Sequence, residues 1–295
     1  MSREMNDQEP RRASAAPSPA LPLPRPGCAA PEALLERRTT SLPGGYPVEA
    51  SIVTREVRLG PLSGISCSPP NPRGVLFHMH GGGFRLGSPM RSQPFAATLA
   101  ARLGCEVIMP AYPLAPENPF PAALVALQDA LASVKIEGPL VIGGDSAGGN
   151  LAVGLCLLGA AADALFLVSP WLDLRIVSEG YDRAASTDRL FSRAMAMEAR
   201  QMYLQGHSAD DPLATPLLAP LEAMPDTFVL AGGAEVLLDD SLAFAARLAS
   251  AGVDVECRVV PDMQHVAPTF GPDWPGAAAG LAASIQFLKR QFARR

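Results

Sequence analysis

The chain has 295 residues, of which 48% are hydrophobic and 18% charged, and this composition suits one large globular domain. Its formal net charge of −5 argues against nucleic acid as a partner, because nucleic-acid binding needs a basic surface. The five cysteines are scattered without a C-x-x-C pair, which argues against a disulfide framework or a zinc ribbon and favours a reducing compartment.

The N-terminal segment is polar and rich in proline, so residues 1–28 are predicted to form a disordered or loosely attached arm. This segment lacks the apolar core of a signal peptide, and we therefore expect a cytoplasmic protein. No later stretch reaches the roughly 20 apolar residues of a membrane span, so no span is predicted.

After the arm, the apolar pattern alternates between strands and helices. Strands are predicted at residues 51–59, 62–68, 75–79, 106–109, 140–143, 164–169, 227–231 and 255–260. Helices are predicted at residues 31–40, 92–103, 121–134, directly after 146, 240–251 and 274–293. Residues 175–215 break the alternation and are predicted to be inserted helices. The alternation implies an α/β protein with a mostly parallel sheet, in which functional groups follow the carboxyl ends of strands.

Residues 144–148 have the pattern Gly-x-Ser-x-Gly between a predicted strand and a predicted helix. In this pattern the strand enters a very tight turn with Ser146 at its tip, and the glycines remove side chains that would collide there. The turn exposes the serine hydroxyl as a nucleophile. A glycine-rich turn around a buried serine is the alternative, since the pattern alone also occurs by chance.

A serine hydroxyl needs a base to remove its proton, and histidine is the expected one. Of the four histidines, His265 follows the strand at 255–260 on a loop from which it could reach Ser146. His78 is expected to pack inside a strand, and His207 is expected at the surface. An exposed loop histidine without a chemical role is the alternative for His265.

The imidazole of such a base needs a carboxylate, which with this kind of turn lies between the serine and the histidine in the chain. Residues 231–240 supply the candidates after a predicted strand. Glu235 comes first after the glycines and is the predicted acid, with Asp239 as its main rival. Asp239 and Asp240 are more typical of the start of the next helix, where carboxylates are favoured.

Three consecutive glycines follow the strand at 75–79, within residues 80–84. Their bare backbone N–H groups suit an oxyanion hole, which stabilises the negative charge of a tetrahedral intermediate. We predict the N–H groups of Gly82, Gly83 and Ala147 as the donors. A phosphate-binding loop is the competing interpretation, but neither G-x-x-x-x-G-K-[ST] nor G-x-G-x-x-G occurs in this chain.

Five segments, taken together, resemble the hormone-sensitive-lipase-like branch of the α/β-hydrolases, a group of bacterial esterases. They are residues 80–84, residues 112–117 with 120–123, residues 144–149, residues 169–171 with Asp173, and residues 235–239 followed by His265. The resemblance covers roughly residues 45–292. It implies the α/β-hydrolase fold, with a mostly parallel central sheet, helices on both faces and a helical cap. It also implies one catalytic domain at residues 29–295, whose cap comes from about residues 29–45 and 175–215.

The resemblance assigns a role to each matching position. It makes Ser146 the nucleophile, His265 the base, Glu235 the acid, and Gly82, Gly83 and Ala147 the oxyanion donors. His80 and Glu117 would support the oxyanion loop. Two positions depart from the family pattern: many relatives have Asp at Glu235, and Arg is more common at Pro113. A salt bridge that some relatives make would therefore be absent.

The activity implied by the resemblance is that of a serine carboxylesterase, which hydrolyses acyl esters of short to medium chain through an acyl-enzyme. Its partner would be a small-molecule ester, and no metal or organic cofactor is expected. A lactonase, thioesterase or amidase could use the same triad. Some proteins of this fold are small-molecule receptors that have lost a triad member, but serine, histidine and a candidate acid are all present here.

The substrate pocket and the oligomeric state are predicted from weaker signals. Candidate pocket residues are Phe84, Asp145, Phe191, Met195 and Met202. Methionines at helical spacing, such as those of the presumed cap, are more often core than pocket. The last predicted strand, at residues 255–260, could be a sheet edge through which two copies pair as a homodimer.

Overall fold

A computed structural model of the chain describes residues 21–22, 27–39 and 45–294. The predicted arm at residues 1–28 lies largely outside the described residues, and so do residues 40–44 of the predicted cap. Where the arm is described, it contacts the rest of the chain. Leu21 packs against the hydrophobic core, and a Cβ on Gly27 would lie 2.1 Å from the carbonyl oxygen of Pro116.

A single sheet of eight strands lies at the centre of the described chain. The strands are β1 (Val53–Leu59), β2 (Leu62–Ser68), β3 (Val75–Met79), β4 (Glu106–Pro110), β5 (Leu140–Asp145), β6 (Ala164–Val168), β7 (Asp226–Gly232) and β8 (Val255–Val260). Their order is β1-β2-β4-β3-β5-β6-β7-β8. β2 runs antiparallel to β1 and β4, and all other neighbours are parallel. The predicted mostly parallel sheet is therefore confirmed.

Helices cover both faces of this sheet. They are α1 (Glu32–Thr39), α2 (Pro89–Leu103), α3 (Ala122–Ala132), α4 (Ala147–Leu157), α5 (Gly180–Arg183), α6 (Arg193–Leu204), α7 (Leu238–Ser250) and α8 (Ala277–Ala293). α2 and α8 pack on one face, whose core includes Phe95 and Phe287. α3, α4 and α7 pack on the other, whose core includes Leu124 and Leu151. The central strands are buried on both faces, which explains their continuous apolar sequences.

Two helices begin earlier than the sequence pattern predicts. α2 begins at Pro89, three residues early, because the Ser88 hydroxyl caps it by accepting the N–H of Arg91 at 3.4 Å. Proline fits this first helical position, since its missing N–H would have no partner there. α7 begins before Asp239 and Asp240, so both carboxylates lie in its first turn, where they favour the helix N-terminus.

The segment at residues 175–215 forms the short helix α5 and the longer helix α6, as its broken alternation predicts. α6 lies against the loop after β3. The ring of Tyr203 stacks on Phe84 with centroids 3.7 Å apart, and Glu198 forms an ion pair with Arg85 at 2.8 Å. These two contacts hold the inserted segment against the loop that follows the carboxyl end of β3. None of the described helices is both long enough and apolar enough to cross a membrane.

Two buried carboxylates, Asp173 and Asp240, join the loop after β6 to the start of α7. Asp240 Oδ2 accepts the N–H groups of Leu172 at 3.1 Å and Asp173 at 3.0 Å, while Arg175 binds the Asp173 carboxylate at 2.7 Å. Burial, and after it the negative charge of Asp173, raises the pKa of Asp240 to about 8. The folded protein therefore keeps a proton on Asp240 at pH values where an unfolded chain, with an aspartate pKa of about 3.9, has lost it.

Asp240→Asn is expected to flatten the pH dependence of stability. Between about pH 4 and pH 8 the folded state binds more protons at this position than the unfolded state. The stabilising contribution of Asp240 is therefore complete below this window and is lost as the pH rises through it. Asparagine keeps an oxygen for the two N–H groups and does not titrate. Urea unfolding across the window should show a smaller decline in the free energy of unfolding for the variant.

The neighbouring change Asp239→Asn serves as the control. Partial burial raises the pKa of Asp239, but hydrogen bonds from Arg183 and Ser178 outweigh it and hold this pKa below its ordinary value. Asp239 therefore does not titrate in the same window. Its charge is the last of the causes that raise the pKa of Asp240, so its substitution should reduce the decline far less than Asp240→Asn does. An equal decline in the wild type and in Asp240→Asn would contradict the assignment.

Candidate active site

The turn after β5 holds Ser146 at φ 53° and ψ −119°, a positive-φ conformation that is strained for a residue with a side chain. The surrounding backbone is packed too closely for other side chains. A Cβ on Gly148 would lie 2.0 Å from the Met79 carbonyl oxygen, and one on Gly144 would lie 2.2 Å from that of Gly148. Both glycines of the Gly-x-Ser-x-Gly pattern are therefore required by close approach, and the serine stands at the tip of the turn.

Three side chains that the sequence analysis selected form one hydrogen-bonded chain. The Nε2 atom of His265 lies 3.0 Å from Ser146 Oγ, and its Nδ1 atom lies 2.7 Å from Glu235 Oε2. The other oxygen of Glu235 accepts the N–H of Gly232 at 2.7 Å. Because a carboxylate can only accept, Nδ1 carries the proton, and Nε2 is left to accept the proton of the serine hydroxyl. Exposure is 5% for Ser146 and His265 and 1% for Glu235.

The structure separates the two candidate acids. Glu235 lies under His265, while Asp239, one turn further along the chain, binds Ser178 Oγ at 2.9 Å and also Arg183. Asp239 therefore ties the start of α7 to the inserted segment. Of the two, only Glu235 contacts the imidazole.

The surroundings of His265 act on its pKa in opposite directions. Burial lowers the pKa, but the hydrogen bond and charge of Glu235, followed by the charges of Asp188 and Asp145, outweigh it. The net result is a pKa raised above the ordinary histidine value. The imidazolium form is thus stabilised, as required of a base that must carry a proton during a reaction.

The glycine loop after β3 is held in place by groups beneath it. Asp145 Oδ2 accepts the N–H of Gly81 at 2.8 Å, and the Tyr112 hydroxyl donates to the carbonyl of His80 at 2.7 Å. Burial lowers the pKa of His80 to about 4, so its ring is neutral and stacks on Tyr112 with centroids 4.4 Å apart. Asp145, predicted as a pocket residue, thus also anchors this loop.

The predicted oxyanion donors remain available in this arrangement. Gly82 and Gly83 have φ values of 126° and 60°, a backbone geometry that favours glycine. Within the described part of the chain, no group accepts the backbone N–H of Gly82, Gly83 or Ala147. Ala147 is the first residue of α4, so the positive end of that helix dipole adds to the donor side of the site.

Glu117, predicted to support the oxyanion loop, is held by an arginine from another part of the chain. Arg38 lies near the end of α1 and donates to the Glu117 carboxylate from Nη1 at 2.6 Å and from Nη2 at 2.8 Å. The same guanidinium donates to the carbonyls of Ala115 at 2.8 Å and Arg85 at 2.9 Å. Glu117 is therefore paired, and Arg38 connects α1 to the loop that carries the predicted oxyanion donors.

A segment of the insertion, residues 187–191, is tied to the loops on which Glu235 and His265 lie. Asp188 Oδ2 accepts the N–H of Val236 at 2.9 Å. Gln264 accepts the N–H of Arg189 at 2.9 Å and donates to the Thr187 carbonyl at 3.0 Å. The residue after Glu235 and the residue before His265 are thus bound to one short segment.

The same segment places Phe191 beside His265, the predicted base. Its ring stacks on that of His265, with centroids 5.4 Å apart and an interplanar angle of 18°. Sequence reasoning did not find Asp188, Gln264 or Arg38. Only the position of Gln264, next to the predicted base, could have drawn attention, because the other two lie far from any motif.

A cavity of about 720 Å³ opens at Ser146 and His265. Of the predicted pocket residues, Asp145, Phe191 and Met195 line it. Phe84 and Met202 do not: Phe84 is buried in a stack on Tyr203, and Met202 faces a second cavity beside His207 and Cys28. Phe84 has a φ of 61°, and its ring packs into the core beside the cavity.

The two remaining histidines take no part in this chain of hydrogen bonds. His78 lies inside β3 and contacts Asp145 Oδ1 at 3.1 Å, while His207 pairs with Asp211 at 2.7 Å in the inserted segment. Among the described residues, no group of three or more His, Cys, Asp or Glu side chains could hold a metal ion.

Comparisons with known proteins agree with this fold and site. The profile of a family described as "alpha/beta hydrolase fold" matches residues 76–269. The chain is 32% identical to an esterase of Acinetobacter venetianus, over 82% of this chain and 84% of the relative, and 30% identical to an acetyl-hydrolase of Streptomyces hygroscopicus, over 73% and 75%. A crystal structure of an esterase from the bacterial hormone-sensitive lipase family superposes with a TM-score of 0.77 at 32% identity, covering 83% of this chain and 86% of that one. The chain belongs to the α/β-hydrolase-fold family, in its bacterial hormone-sensitive-lipase-like esterase branch.

Proposed function

We propose that the protein is a serine carboxylesterase in which Ser146, His265 and Glu235 form the catalytic triad. One observation carries this proposal: a strained serine, a buried histidine and a buried glutamate are joined by hydrogen bonds of 3.0 and 2.7 Å at the mouth of a cavity. The esterases and the acetyl-hydrolase among its relatives support the same reaction class.

The geometry suggests each step of the reaction. Ser146 Oγ attacks the ester carbonyl carbon while its proton passes to Nε2 of His265. The carbonyl oxygen becomes an oxyanion, which accepts hydrogen bonds from the N–H groups of Gly82, Gly83 and Ala147. The bond to the alcohol oxygen breaks, and the alcohol leaves with the proton from His265. Water then attacks the acyl-serine by the same route and releases the acid.

We further propose that the acyl chains are short to medium in length. The cavity of about 720 Å³ lies within the usual range for small-molecule sites, and Leu190, Phe191, Met195 and Phe270 give it apolar surface. A series of 4-nitrophenyl esters from acetate to palmitate should show the highest kcat/KM among the shorter acyl groups. A maximum at palmitate would contradict the proposed chain length.

The same assay distinguishes the other reactions open to this triad. A lactone, a thioester and an anilide of matched acyl length should each turn over with a lower kcat/KM than the ester. A preference for one of them would assign the protein to that reaction instead. Absence of all turnover, together with ligand-induced thermal stabilisation, would support a receptor.

Asp188→Asn is expected to move the acid limb of the pH–rate profile to lower pH. The negative charge of Asp188 is one of the groups that raise the pKa of His265, and the base works only when it is neutral. Without this charge, His265 loses its proton at a lower pH, so kcat/KM for a neutral ester should reach its plateau earlier. The measurement is kcat/KM across the acid limb.

Glu222→Gln is the matched control for that experiment. Glu222 is exposed in the loop before β7, at the end of the sheet opposite the site. Glu222→Gln removes one negative charge, as Asp188→Asn does. Its profile should overlay that of the wild type. A profile for Asp188→Asn that only falls in height, without moving along the pH axis, would show a purely structural role.

We also propose that the protein forms a homodimer through β8. This strand is the last in the sheet order, and Glu256, Cys257 and Arg258 on it are exposed. An open strand edge presents unpaired backbone groups that a second copy can bind. Light scattering at micromolar concentration should give twice the mass of the chain, and a monomer mass would reject the proposal.

A cytoplasmic location is the last part of this proposal. All five cysteines are unpaired, and Cys67, Cys105 and Cys156 are buried. Unpaired thiols are typical of proteins in a reducing compartment. Fractionation of the producing cells should recover the esterase activity with cytoplasmic markers, and recovery with extracellular or periplasmic markers would contradict it.

A further inference from the structure

The cavity beside Ser146 has a lining whose charge differs from that of the whole chain. The protein carries a net charge of −5, yet three arginines and one acidic residue line this cavity. The arginines are Arg37 on α1, Arg85 in the loop after β3, and Arg91 on α2. An arginine is always charged, so its partners decide how much of this charge is free to act on a substrate.

Two of these arginines share a single carboxylate. Arg85 is 2% exposed, and its guanidinium lies 2.8 Å from Glu198 and donates to the Met195 carbonyl at 3.4 Å. Arg37 reaches the same carboxylate of Glu198 at 3.6 Å. One negative charge thus faces two positive charges on this side of the cavity.

The side chain of Arg91 has no ion-pair or hydrogen-bond partner in the described ranges. It is half-buried, and neither a carboxylate within 4 Å nor a hydrogen bond from its guanidinium is present among the residues the structure describes. A partly desolvated guanidinium without a counter-ion is unfavourable unless a ligand supplies one.

The acidic residue of the lining, Asp145, forms no ion pair with any of these three arginines among the described residues. Asp145 uses Oδ1 for the ring of His78 and Oδ2 for the N–H of Gly81. Burial is the main cause of the low pKa of His80, but the positive charge of Arg91 contributes in the same direction, which places that charge near the oxyanion loop. Arg91 also lies in the first turn of α2, where the helix dipole adds positive potential.

We propose that this esterase prefers esters that carry a carboxylate or similar anionic group, and that Arg91 binds this group at the α2 wall of the cavity. The proposal rests on the esterase function proposed above. A guanidinium binds a carboxylate through charge-assisted hydrogen bonds, and the potential of Arg37 and Arg85 attracts the same charge into the cavity. Neutral esters lack this contact and bind through apolar surface alone.

Two matched pairs of esters test the proposal on both sides of the scissile bond. For the acyl side, 4-nitrophenyl hydrogen adipate is compared with its neutral methyl ester. For the alcohol side, 4-acetoxybenzoate is compared with methyl 4-acetoxybenzoate. The quantity measured is the ratio of kcat/KM for the anionic ester to that for its neutral partner, in the wild type and in variants. Because the same two esters are used with the wild type and with each variant, their intrinsic reactivities cancel when the ratios are compared.

Arg91→Gln should lower this ratio by about tenfold or more for at least one pair, which is the loss expected for a hydrogen bond to a charged group. Arg91→Lys should retain part of the preference for the anionic ester, because lysine keeps the positive charge but lacks the planar guanidinium that binds a carboxylate through two N–H groups. Arg102→Gln is the control: Arg102 is exposed in the last turn of α2, outside the cavity, and its removal should leave both ratios unchanged.

The wild-type protein provides a second measurement that does not depend on how a variant folds. Salt toward about 1 M should lower kcat/KM for the favoured anionic ester and affect its neutral partner little, since salt screens charge. Ratios that Arg91→Gln leaves unchanged for both pairs, or an equal salt effect on anionic and neutral esters, would overturn the proposal. Failure of the esterase function itself looks different, because the wild type would then hydrolyse neither member of a pair.

Discussion

Ser146→Ala is expected to lower kcat for a short-chain ester by about 10⁶-fold, the loss typical when the nucleophile of a triad is removed. The only oxygen that lies 3.0 Å from the base Nε2 would be gone, and no other hydroxyl among the described residues contacts that atom. A residual rate above the uncatalysed reaction remains possible through the oxyanion donors. The measurement is kcat by 4-nitrophenol release, with active sites of the wild type counted by an organophosphonate.

The fold should survive this change. Alanine removes one oxygen and relieves none of the φ strain at 53°, so the melting temperature should stay close to that of the wild type. A phosphonate should label the wild type at Ser146 and leave the variant unlabelled. Ester hydrolysis retained by a folded, unlabelled variant would exclude Ser146 as the nucleophile.

Glu235→Gln is expected to lower kcat by about 10⁴-fold, as for other triads that lose their acid. Glutamine can satisfy the N–H of Gly232 with its oxygen, but its NH₂ group then faces Nδ1 of His265. The imidazole must turn its lone pair toward that donor, so Nε2 carries the proton and cannot accept one from Ser146. The effect thus arises from the wrong tautomer rather than from lost packing.

The rival acid provides the matched comparison. Asp239→Asn removes the same charge four residues away and weakens the ion pair with Arg183, while the amide oxygen can still accept the Ser178 hydroxyl. A partly exposed ion pair of this kind contributes less than about 1 kcal/mol, so kcat should change little. If Asp239→Asn proved the more damaging substitution, Glu235 would be rejected as the acid.

The residues that meet at the candidate site could be selected from the sequence because each lies in a short motif next to a strand. At Gly144 and Gly148 the neighbouring backbone lies within 2.2 Å of the position that a Cβ would take, so only glycine fits there. Both positions fall within five consecutive residues, so the pattern is visible in the sequence. His265 and Glu235 follow the carboxyl ends of β8 and β7, which parallel pairing brings to the same edge of the sheet. Local patterns therefore selected His265 and reduced the acid to Glu235 with Asp239 as its rival.

The pocket could not be predicted in the same way. Phe84 and Met202 are apolar and close to motifs, yet Phe84 stacks in the core and Met202 faces another cavity. Phe191 and Met195 have the same apolar character and do line the cavity at Ser146. Which face of α6 and which side of the glycine loop point inward depends on how the insertion packs, and sequence periodicity does not encode that.

By itself, the sequence determined the α/β fold, the strained serine turn, the glycine loop and the order of serine, acid and histidine. These features follow from local backbone requirements and from the alternation of strands and helices. Tertiary structure alone decided which carboxylate meets His265, that Arg38 pairs with Glu117 across 79 positions, and that Arg91 lacks a counter-ion among the described residues. Each of these depends on contacts between segments far apart in the chain, whose distances only the packed fold sets.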